Sequence, residues 1–110
     1  MLKAENKKII MTEGDFGITL PLIFKGDLEE SDTIKFIIKK QTNDSNSVLI
    51  KDFDNLSIED NTTTCNLSFT KEESELLKNG YYQYGIKQYR DGKLLNTIVT
   101  SNEFDVIKGV

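Results

Sequence analysis

The chain reads as one small all-β sandwich, and three observations carry that reading. Apolar residues alternate at every second position, turn signals fall between those runs, and a tyrosine-rich segment enters the last part of the chain. The first run is Phe16, Ile18, Leu20, Leu22 and Phe24, with Gly17, Thr19, Pro21 and Lys25 among the intervening positions. Alternation over that length predicts a strand with one face in a core. Thr33–Lys40 repeats it with Ile34, Phe36 and Ile38 inward and Lys35 and Lys39 outward. Thr63–Phe69 does so through Cys65, Leu67 and Phe69, and Tyr82, Tyr84 and Ile86 supply a fourth inward face. Lys8–Met11, Val48–Phe53, Leu94–Val99 and Glu103–Ile107 are shorter strands of ambiguous phase. Pro21 cannot donate to a ladder, so its strand is expected at an edge or a bulge.

Turn signals separate these runs. Gly14-Asp15 precedes the first long strand, Gly26-Asp27 follows it, and the polar stretch Gln41–Ser47 parts two others. Asp91-Gly92 is a two-residue hairpin signal and predicts that Tyr82–Arg90 pairs with Lys93–Val99. One segment reads as helix. Thr70 stands as N-cap with Glu73 three residues on, which is a capping box, and Leu76 and Leu77 follow. Gly80 is then expected to stop the helix after about two turns.

Composition bounds the function. A chain of 110 residues is one domain, 1–110, with residues 1–7 expected as a flexible arm. The net charge is -4 and Arg90 is the single arginine, which speaks against nucleic acid as a partner. There is no His and one Cys, so the commonest general base and metal ligand is missing and no intrachain disulfide can form. No stretch approaches the roughly 20 apolar residues of a membrane span, and the first ten residues lack the apolar core of a signal peptide. No catalytic, metal or cofactor site is expected.

The short helix leads directly into Gly80-Tyr81-Tyr82-Gln83-Tyr84. In immunoglobulin-like sandwiches a tyrosine at this point bonds back to the preceding corner, and a buried core position follows two residues later. Tyr82 fits the corner and Tyr84 the core position. The fold expected is therefore an immunoglobulin-like antiparallel β-sandwich of seven or eight strands, with one short helix before the penultimate hairpin. Gly80, Tyr82, Tyr84, Asp91 and Gly92 are its structural markers. Three tyrosines in an ordinary strand of some other β fold are the competing reading.

The string Leu77-x-x-Gly80-x-Tyr82-x-Tyr84-x-Ile86, then Asp91-Gly92-Lys93, Thr97-Ile98 and Phe104-x-Val106, resembles the N-terminal domain of the baseplate upper protein of phages of Gram-positive bacteria. Upstream, Gly14-Asp15 and Asp32-Thr33-x-x-Phe36 agree with it, so the resemblance runs from about Ile10 to Val106. It departs at Gly85, where members usually carry an acidic residue. The resemblance implies a non-enzymatic structural module of a phage or prophage tail, baseplate or fibre, assembled in the bacterial cytoplasm and resident in the virion. Its partners would be other phage structural proteins or further copies of itself.

The remaining candidates have plain readings. Cys65 alternates inward and is expected as a buried small hydrophobe. Asp52, Asp54, Glu59 and Asp60, and separately Asp27, Glu29, Glu30 and Asp32, lack the alternating ligands, Gly and closing Glu of a calcium loop. Both are expected as solvated loops. Tyr81 and Tyr89 point outward if Tyr82 and Tyr84 point inward, and they are the candidate interface residues. They serve a protein contact in the leading reading and a carbohydrate or host surface in the alternative, an adhesion module.

Overall fold

The computed structural model describes residues 1–109 of the chain. The architecture is all-β, with nine strands and one short helix among the described residues: β1 (Leu2–Glu5), β2 (Lys8–Thr12), β3 (Leu20–Lys25), β4 (Thr33–Lys39), β5 (Leu49–Phe53), β6 (Ile58–Glu59), β7 (Thr62–Leu67), α1 (Lys71–Leu76), β8 (Gly80–Arg90) and β9 (Lys93–Ile107). A six-stranded sheet runs β1-β2-β9-β8-β4-β5, and a three-stranded sheet runs β3-β7-β6. Both sheets feed one core, in which Ile34, Phe36, Ile38, Leu67, Leu77 and Phe104 are fully buried. Phe36 stacks on Tyr84 at 5.1 Å between centroids and meets Phe104 edge-on, and Phe104 meets Phe69 in the same way.

The alternation expected of Thr33–Lys40, Thr63–Phe69 and Tyr82–Ile86 is the burial pattern observed. The Asp91-Gly92 hairpin joins β8 to β9 with φ of 53° and 76° at the two turn residues, the positive pair that a primed turn needs. α1 begins with its capping box complete. Glu73 N donates to the Thr70 hydroxyl, and Thr70 N donates to Glu73 Oε1.

Five expectations are corrected. The run from Phe16 becomes a strand only at Leu20; Gly17 turns at φ 76°, and Phe16 and Ile18 stand exposed. Leu2–Glu5, inside the expected arm, pairs with β2 across a turn at Asn6-Lys7, whose positive φ values lack the usual glycine. That turn is held from elsewhere, because the Tyr84 hydroxyl donates to the Lys7 carbonyl. The sandwich is not purely antiparallel, since β2 and β9 are parallel. Leu94–Val99 and Glu103–Ile107 are one strand, β9, and with β1 and β6 the strands among the described residues number nine rather than seven or eight. Finally, α1 ends at Leu76 with Leu77 as C-cap, so Gly80 does not stop it, and the helix precedes the last hairpin rather than the penultimate one. Gly80 instead opens β8 at φ 153°, where an added Cβ would lie 2.9 Å from Lys40 Nζ.

Pro21 lies on β3, which pairs only with β7 and is thus an edge strand, in keeping with its missing donor.

Candidate functional site

The tyrosine segment is built into the fold at both inward positions. The Tyr82 hydroxyl donates to the Lys78 carbonyl at 2.8 Å, four residues upstream, which is the bond a tyrosine corner makes. Lys40 Nζ sits 4.5 Å above the Tyr82 ring, in the space that Gly80 leaves by having no side chain. Burial raises the pKa of both Tyr82 and Tyr84, so both remain protonated donors at neutral pH.

The outward tyrosines are not brought together. They lie eight residues apart on β8, roughly 26 Å at the usual strand rise. Tyr81 is 76% exposed beside Asp105, which sits under Lys8 in an ion pair of 3.0 Å. Tyr89 is half-buried at the opposite end, with Lys35 Nζ 5.4 Å from its ring. One compact ligand cannot touch both.

Sequence reasoning missed the most connected polar group in the molecule. Asp32, read as part of a solvated acidic loop, is fully buried. Its carboxylate accepts from Arg90 Nε at 2.8 Å, Arg90 Nη2 at 3.0 Å, Gln88 Nε2 at 2.8 Å and the Glu29 backbone N–H at 2.9 Å. The Arg90 guanidinium, helped by the other donors, holds this carboxyl well below the usual carboxylate range against the opposing effect of burial. The one arginine of the chain is thereby committed to a bidentate contact that ties the loop after β3 to the end of β8. A signal existed in the sequence: Gln88 continues the inward phase of Tyr82, Tyr84 and Ile86, and a polar residue on a core face needs a partner.

One of three register shifts between β8 and β9 lies opposite Gly85. Tyr84 pairs with Asn102 and Ile86 with Val99, so Gly85 alone faces Thr100 and Ser101. A Cβ at Gly85 would lie 3.2 Å from the carbonyl oxygens of both Val99 and Thr100. The result is a shallow groove of about 240 Å³ on the outer face, floored by Gly85 and bordered by Ile37, Lys39, Gln83, Lys87 and Thr97. Much of its polar rim is engaged internally. Ser101 Oγ donates to Gln83 Oε1 and also meets the Thr42 hydroxyl, while Lys39 Nζ donates to the Asp44 carbonyl.

Cys65 is buried on β7, and burial pushes its thiol up to about 11. A thiolate nucleophile is therefore scarce at neutral pH. The acidic clusters gather no metal-ligand set among the described residues. Asp52 instead accepts from Lys35 at 3.0 Å, and Asp54 from the Thr33 hydroxyl at 2.7 Å. No protein-family model matches the chain, and no curated protein and no solved structure is significantly similar to it.

Proposed function

We propose that the chain is a non-enzymatic structural module of a phage or prophage-derived particle, acting in the tail, baseplate or fibre region through protein–protein contacts. The observation that carries this reading is the division of labour between polar and apolar groups. Several charged residues are paired within the fold: Arg90 with Asp32, Lys51 with Glu73, Lys35 with Asp52 and Lys8 with Asp105. The surface also presents large apolar side chains, with Phe16, Ile23, Ile50, Leu94 and Leu95 all exposed on a small domain. Exposed apolar side chains beside strand edges suit contacts between proteins. The likeness of the Gly80–Val106 segment to baseplate domains supplies the particle, and the tyrosine corner with a β9-β8-β4 order supports the immunoglobulin-like class.

A pull-down from particle lysate with the purified chain tests the proposal, and the expected result is retention of tail proteins. A chain that every tail protein ignores counts against it. The adhesion alternative is less well served, because Tyr81 and Tyr89 do not form one platform. Titration with cell-wall polysaccharide separates the two, and saturable glycan binding would displace the assembly reading.

A further inference from the structure

We propose that the chain pairs with a second copy of itself along the β5 edge, antiparallel about a two-fold axis, with Ile50 opposite Ile50 of the second copy. This rests on the assembly reading and deepens it by naming the edge and the partner. An open strand edge is a template for pairing unless something blunts it. Three of the four outermost strands are blunted, and the Lys93–Glu103 stretch of β9 that β2 leaves uncovered is broken by three register shifts against β8. β1 has four residues and carries the Lys3–Glu5 ion pair of 2.7 Å. β3 carries Pro21, whose missing N–H interrupts a continuous ladder. β6 has two residues.

β5 has five residues, no proline, and a regular register against β4. Ile50, the second residue of β5, is 46% exposed and lies in register with the half-buried Ile37 on the outer face. Pairing centred on Ile50 extends this to an unbroken row of four isoleucines across the seam, the kind of cross-strand apolar contact that stabilises a sheet. The same register sets Leu49 against Lys51 and Val48 against Asp52. Neighbouring registers are worse: centring on Lys51 opposes two amines, centring on Asp52 opposes two carboxylates, and centring on Leu49 leaves a single β5 residue paired within the strand. Lys51 is also held back by Glu73 at 2.6 Å, so its charge stays on its own protomer. The second copy would continue the six-stranded sheet into one of twelve.

Sedimentation equilibrium of the purified chain tests the pairing. A reversible dimer is expected, with Ile50→Lys raising its dissociation constant at least about tenfold. Ile23→Lys, at a still more exposed position on the blunted β3 edge, leaves it unchanged. Circular dichroism confirms that each variant is folded. Under mild oxidation Ile50→Cys forms a disulfide dimer, because directly opposed Cα atoms lie about 5 Å apart, whereas Asp52→Cys, roughly 14 Å from its counterpart, does not. The native Cys65 is buried and does not interfere. A monomer at about 1 mM, a dimer indifferent to Ile50→Lys, or a cross-link at position 52 instead of 50 overturns the proposal. None of these outcomes decides whether tail proteins retain the chain, so the two readings fail separately.

Discussion

Replacing Asp32 by Asn removes one charge from the core end of the sandwich while keeping the shape of the side chain. The carboxylate serves four donors, two of them from Arg90. An asparagine offers one acceptor oxygen, and its amide group would face donors where the second carboxylate oxygen stood. At least two hydrogen bonds to a charged group are therefore lost, each worth about 1.5–3 kcal/mol. Arg90 is 30% exposed and regains part of its solvation, whereas Gln88 is buried and cannot. The expected net loss is about 3 kcal/mol, or a fall in Tm of about 12 °C for a domain of this size. Urea unfolding followed by tyrosine fluorescence measures it. The pH dependence gives a second reading of the same contact. The native carboxyl stays ionised far below the point, near 3.9, at which an unfolded aspartate takes up its proton. The stabilisation it provides is thus complete above about pH 4 and is lost as pH falls below that. The stability gap between the parent and Asp32→Asn should narrow steadily from about pH 4 downward. A loss below about 1 kcal/mol, or a gap that does not change with acid, would refute the account of Asp32 as the charged anchor of β8.

Tyr82→Phe deletes only the hydroxyl that reaches the Lys78 carbonyl and should cost about 1 kcal/mol by denaturant midpoint, with the m-value unchanged. Gly85→Glu introduces a Cβ against two carbonyl oxygens and a negative charge beside them, so thermal unfolding should show a loss of about 1–3 kcal/mol. Native Cys65 should react with a thiol reagent only at the rate of global opening, and labelling should accelerate sharply in urea. Above pH 10, stability should fall, because the buried Tyr82 and Tyr84 hydroxyls resist the ionisation open to them in the unfolded chain. A flat alkaline stability profile contradicts that.

What the sequence made legible follows one physical rule. Where a strand has one core face and no irregularity, as in β4, β7 and the Tyr82–Ile86 part of β8, period-two alternation reports burial residue by residue. β9 hides its unity because it carries three more residues than its partner between matched ends. Asn102 to Leu94 spans eight steps while Tyr84 to Tyr89 spans five. Each insertion flips the phase, so Leu94 and Leu95 are both exposed and the strand reads as two fragments. β1 escaped notice because its turn, Asn6-Lys7, lacks a glycine and depends on a tyrosine 77 residues away. Asp32 was misread for a related reason. A carboxylate in a run with Asp27, Glu29 and Glu30 looks solvated. The inward phase of Gln88 signals a buried partner, but the tertiary placement of Arg90 and Gln88 is what identifies that partner as Asp32.

The parallel pairing of β2 with β9 also sets an order of events. Ile9 aligns with Phe104 and Met11 with Val106, so an early segment of the chain closes onto one of its last. During synthesis the Lys8–Thr12 strand has only β1 beside it and waits for almost all of the strands to be translated before its second neighbour, β9, exists. Folding of this chain therefore belongs to the slow, millisecond-to-second regime of non-local β topologies and completes only after β9 is free of the ribosome.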